Sequence, residues 1–108
     1  MLEKTDISLA LARLRAKRKG HRSVVTRNIN EAKRILEEDD ISAQHWNRLK
    51  IIEQVSYEKL ELLTGFDDEI TQLCEMDDIE QEIELADEIR SVILETKGNI
   101  AIALASSV

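Results

Sequence analysis

Arg13, Arg15, Lys17, Arg18, Lys19, His21 and Arg22 crowd into residues 13–22 and form the densest charge cluster in the chain. Guanidinium and ammonium groups at this density bind polyanions, because each phosphate they neutralise releases condensed counterions. An acidic protein surface would serve them equally well. No aromatic residue is interleaved with these cations, so bases of a single strand would have no stacking platform. The cluster has three readings at this stage: a nucleic-acid contact, a contact with an acidic partner, or a basic helix that is solvated or docked on acidic helices of its own chain. The formal net charge of −7 weighs against nucleic acid, since the rest of the chain repels phosphate.

Other residue types suggest less chemistry. The carboxylate pairs Asp39-Asp40, Asp67-Asp68 and Asp77-Asp78 could hold a divalent cation. A calcium loop needs alternating oxygen ligands around a central glycine, and none of the three has that pattern. The first and last pairs fall where helices should begin, which favours a capping role. His21 and His45 lie far apart, and neither has a histidine or cysteine at a ligand spacing. Cys74 stands alone, so no disulfide framework is expected, and a buried, inert thiol is its ordinary role. Neither a nucleophile motif nor a phosphate-binding glycine loop occurs. We therefore expect no catalytic residue, no cofactor, no metal and no small-molecule substrate. Trp46 is the one apolar side chain singled out, either as an exposed anchor for a partner or as a plug closing the end of a bundle.

These residues must be carried by helices. The chain of 108 residues contains no proline, three glycines, and only Trp46, Tyr57 and Phe66 as aromatics. Its apolar content is mostly Leu, Ile, Val and Ala, set among Glu, Lys and Arg, a composition that favours helix and lacks the turn residues of a β-rich domain. Charge is split along it. Residues 1–34 carry ten Lys or Arg against Glu3, Asp6 and Glu31, a net +7, and the remainder carries five basic against nineteen acidic residues, a net −14. No apolar run approaches the roughly 20 residues of a membrane span, and no signal-peptide pattern opens the chain. A reducing, intracellular compartment is expected, the cytoplasm first.

Hydrophobic spacing divides residues 1–108, taken as a single domain, into about three long helices. Ile7, Leu11 and Leu14, then Val25, Ile29, Ala32 and Leu36, recur at steps of three and four. Gly20 interrupts this basic first segment. Two helices, over about 5–18 and 23–38, are expected ahead of one continuous helix. Asp39-Asp40-Ile41-Ser42 forms a boundary, with Asp40 or Ser42 as the cap. A long central helix over 42–76 follows, with Trp46, Leu49, Ile52, Val55 or Ser56, Leu60, Leu63, Phe66, Ile70 and Leu73 in a near-heptad stripe that keeps phase across Gly65. Asp77-Asp78, with Glu80 and Gln81, resembles a capping box. It opens a third helix over 78–97, or on to 105, marked by Ile79, Ile83, Ala86, Ile89 or Arg90, Ile93 and Ile100. Lys97-Gly98-Asn99 is the expected stop, with residues 100–108 either extending the helix or fraying. Links of two to four residues force neighbours antiparallel. The expected fold is all-α, an elongated, coiled-coil-like antiparallel bundle.

Residues 17–106 resemble the helical Gag-like domain near the N-terminal end of BEL/Pao-type retrotransposon polyproteins. The resemblance is carried by Arg18-Lys19-Gly20-His21-Arg22-Ser23-Val24-Val25-Thr26-Arg27 and its following amphipathic helix. Leu60-Glu61-Leu62-Leu63 and Phe66-Asp67-Asp68-Glu69-Ile70 continue it in the central helix, and Asp78-Ile79-Glu80-Gln81-Glu82-Ile83 with Ala86-Asp87-Glu88-Ile89 complete it. It implies a non-enzymatic role in a retroelement, or in a host protein derived from one, and a chain that is part of a longer polyprotein. It carries over no catalytic residue.

The expected function is that of a helical protein–protein interaction or assembly module. The split charge and long stripes point to association with further copies of itself or with other protein helices. RNA or DNA binding through residues 13–22 is the alternative.

Overall fold

A computed structural model describes residues 4–106. They form three long helices: α1, Lys4–Leu36; α2, Ala43–Leu73; and α3, Ile79–Ser106. A short 3-10 helix, Met76–Asp78, leads into the last. The short links reverse the chain twice, so α2 runs antiparallel to both neighbours, while α1 and α3 run parallel. Both outer helices pack along α2 and touch each other less. The bundle measures 57 × 21 × 17 Å, with a radius of gyration of 17.1 Å. A compact chain of this length would have about 13 Å. The fold is thus the elongated all-α bundle that the spacing predicts, and no helix among the described residues is long and apolar enough to cross a membrane.

Two aliphatic clusters hold the helices together. Ala32 and Ile35 of α1 meet Leu49 and Ile52 of α2 and Ile100 of α3 at one end. Val25 and Ile29 meet Leu63 and Ile93 nearer the middle. Each buried Leu or Ile contributes about 1.5–3 kcal/mol through removal of apolar surface from water.

The expected break at Gly20 does not occur, and α1 is one helix of 33 residues. Gly20 lies on the exposed side, and a glycine there costs only about 1 kcal/mol of helix propensity. The buried stripe runs past it in phase, through Leu14, Arg18, His21 and Val25, so packing on both sides outweighs that cost. The expected stop at Lys97-Gly98-Asn99 is corrected in the same way. Gly98 does not take positive φ, and α3 continues because Ile100 extends its buried face. Residues 107 and 108, part of the segment expected to extend or fray, lie outside the described residues, as do residues 1–3.

The boundaries also shift in detail. Ser42, not Asp40, caps α2: the His45 N–H donates to Ser42 Oγ at 3.2 Å. The first link is six residues, 37–42, longer than expected. Central and third helices end at Leu73 and begin at Ile79, and the expected capping box at Asp77-Asp78 is not made. Those carboxylates sit inside the 3-10 turn, which is capped at Glu75 without a side-chain bond. They lie within the first turn of the combined helix, where they still favour the positive end of its dipole. On two stripes the buried position moves by one residue: Ile35 is deeper than Leu36, and Glu82 takes the interior place expected of Ile83.

Candidate interaction surface

Between the aliphatic core and the end of the bundle where α2 turns into α3 lies a layer of charge. Arg18 is only 7% exposed. Its Nη1 donates to Glu82 Oε2 at 2.7 Å and to Asp67 Oδ1 at 3.0 Å, so one guanidinium joins all three helices. Arg15 Nη2 donates to the other Glu82 oxygen at 3.1 Å. Arg22 Nη2 lies 3.6 Å from Asp67 Oδ1, within ion-pair reach but beyond a hydrogen bond, and its Nε and Nη2 have no hydrogen-bond partner.

The protonation of this layer follows from a contest between burial and pairing. Burial alone would push the Glu82 carboxyl up, but the hydrogen bonds and charges of Arg18 and Arg15 outweigh it and hold Glu82 below the usual carboxylate value. Burial likewise opposes the Arg18 charge, and its bonds to Glu82 and Asp67 more than restore it. Arg22 is shifted down by burial and by repulsion from Arg18, against the attraction of Asp67, Glu82 and Glu88. Glu82 and Arg18 are therefore fully ionised at neutral pH.

The cationic segment is thus divided. Arg15, Arg18 and Arg22 face acidic residues of the same chain, whereas Arg13, Lys17 and Lys19 point outward and make no ion pair among the described residues. Nearby, Lys59 Nζ donates to His21 Nδ1 at 2.8 Å, and the His21 ring stacks on Phe66 at 5.6 Å between centroids. Trp46 is half-buried against the cluster of Ile35, Leu49 and Ile100, at the opposite end of the bundle from the charge layer. Its indole closes that end with Ile41 and Leu104. Cys74 is half-buried at the end of α2. Asp39 and Asp40 lie in the first link, and no group of three or more His, Cys, Asp or Glu among the described residues is arranged as metal ligands would be.

On the outer side of α2 and α3 an open groove of about 390 Å³ runs over the charge layer. Leu60, Leu63, Ala86 and Ile89 supply its apolar wall, and Ile83, 50% exposed, stands within it. Asp68 on α2 and Asp87 on α3 edge it, both exposed and neither in an ion pair among the described residues. Asp67 and Glu82 line its floor, with α1 beyond them.

Glu82 and Ile83 are not among the residues that the sequence singles out for a site, and Asp67 is considered only as half of a carboxylate pair, yet a signal is present. Ser56, Leu60, Leu63, Asp67 and Ile70 step by four and three, as do Glu82, Ala86, Ile89, Ile93, Thr96 and Ile100. Arg18 likewise continues Leu11 and Leu14 towards Val25. One cation and two anions standing on three apolar stripes announce a buried ionic layer. Comparison with protein-family models, with curated proteins and with solved structures finds no match to this chain.

Proposed function

We propose that this chain is a non-enzymatic helical assembly module, of retroelement Gag-like origin, that associates with further copies of itself or with other protein helices. The origin rests on the sequence resemblance. The assembly reading rests on one observation: after Arg15, Arg18 and Arg22 have paired within the chain, Arg13, Lys17 and Lys19 remain unpaired on α1 while Asp68 and Asp87 remain unpaired beside an apolar groove. Opposite charges presented by separate surfaces of one molecule favour contact between molecules. Three of the six cations proposed for a nucleic-acid contact are engaged by Asp67 and Glu82, which leaves a small basic surface on an acidic chain.

Sedimentation equilibrium from micromolar to millimolar concentration tests this. The weight-average mass should rise with concentration. A constant monomer mass, together with an RNA mobility shift that vanishes as salt is raised, would replace assembly with nucleic-acid binding.

A further inference from the structure

Building on the reading of this chain as a self-associating module, we propose that the groove between α2 and α3 receives the outward face of the first half of α1 from a second copy. The two surfaces match in shape and in charge. Leu9, 52% exposed, and the exposed Ala12 and Ala16 make a low ridge along α1. Helical spacing sets Arg13 and Lys17 along one edge of that ridge and Lys19 along the other. The groove has the complementary pattern: an apolar wall with Ile83 exposed in it, Asp68 on one rim and Asp87 on the other, and four carboxylates against the single cation Arg90 in its lining. Small side chains on the ridge let two helical backbones approach closely, with a cation edge meeting an anion edge on each side.

Ridge and groove lie on opposite sides of the same bundle. The groove is lined by α2 and α3 alone, and α1 packs on their other side. They also lie at the same height. Arg15 and Arg18 bond to Glu82 and Asp67, which form the groove floor, so the middle of the ridge sits directly behind the groove. A second copy can therefore dock by sideways displacement, with little shift along the bundle axis. Because the two surfaces differ, the contact is heterologous: each copy that docks presents a fresh surface, and association continues past the dimer into a ring or an open array.

Two variants separate the surfaces. L9D spoils the ridge and leaves the groove, and I83D spoils the groove and leaves the ridge. Both positions are exposed, and circular dichroism checks that each variant retains wild-type helicity. In sedimentation velocity the wild type should form species larger than dimers as concentration rises, and each variant alone should remain monomeric. An equimolar mixture should form a 1:1 pair that grows no further, because the ridge of I83D fits the groove of L9D and no complementary surface remains. The double variant D68K/D87K, which leaves the apolar wall intact, should also lose association and should pair with a chain in which R13E, K17E and K19E reverse both edges of the ridge. A wild type that associates while the mixture stays monomeric, or that stops at a closed dimer, overturns these surfaces and leaves the assembly reading standing. A wild type that is monomeric throughout overturns both.

Discussion

Replacing Arg18 with methionine removes the one side chain among the described residues that hydrogen-bonds both Asp67 and Glu82. Methionine refills much of the aliphatic stem but none of the charge. Two carboxylates with side chains 13% and 9% exposed are left with Arg15 and Arg22, of which only Arg15 makes a hydrogen bond. Breaking a fully buried pair costs about 3–5 kcal/mol. The remaining arginines soften this, so the expected loss is about 3 kcal/mol at neutral pH, roughly a hundredfold in the folded-to-unfolded ratio. The sign of the pH dependence follows from Glu82. In the wild type its folded pKa is held below the unfolded value, so its contribution is present above about pH 4.3 and is lost as pH falls through the folded pKa. Without Arg18 the burial that raises the Glu82 pKa is less opposed, so protonation relieves the variant while it destabilises the wild type. The stability gap should therefore narrow on acidification from pH 7 towards about pH 4. Urea unfolding followed by circular dichroism at both pH values measures it. A loss below about 0.5 kcal/mol at pH 7, the usual range of surface substitutions, or a gap that does not change with pH, would refute the buried ionic layer.

Three further substitutions probe the same architecture. Gly20→Ala should stabilise the chain by about 1 kcal/mol in thermal or urea unfolding, because a β-carbon there meets no atom within 4 Å and the helix is continuous; a destabilised variant would contradict an unbroken α1. Ser56→Ala should also gain about 1 kcal/mol, since the Ser56 hydroxyl is buried without a hydrogen-bond partner, and a clear loss of stability would mean that the hydroxyl is bonded after all. Trp46→Ala should cost about 3 kcal/mol through lost packing on Ile35 and Leu49 while leaving the sedimentation behaviour of the folded protein unchanged. Loss of association at wild-type stability would make Trp46 an interface anchor instead.

Local periodicity makes the architecture legible in the sequence. Leu49, Ile52, Leu63 and Ile70 on α2, and Ile93 and Ile100 on α3, stand on the expected stripes and are fully buried. What periodicity handled poorly was interruption. A glycine within a stripe looks like a break, but at Gly20 and Gly98 the neighbouring buried contacts decide the outcome, and these come from other helices. Charge is only partly legible for a related reason. Arg18, Asp67 and Glu82 each occupy an apolar phase, but each is acceptable there only because the other two arrive from distant parts of the chain. A basic cluster considered alone therefore looks like a surface for a partner, and only the three-dimensional pairing divides it into an inward half and an outward half. The groove was less legible still, since it depends on the spacing between α2 and α3 and on Ile83 turning outward beside Glu82.

The most direct test of the central claim is the mass of the chain in solution as a function of concentration and salt. At about 0.01 M salt, where charges act over roughly 30 Å, sedimentation equilibrium should give a weight-average mass that climbs well above the 12.4 kDa of one chain as concentration rises. At about 1 M salt, where that range falls to roughly 3 Å, the mass should drop back towards the single chain. A mass of 12.4 kDa at every concentration and at both salts would contradict it.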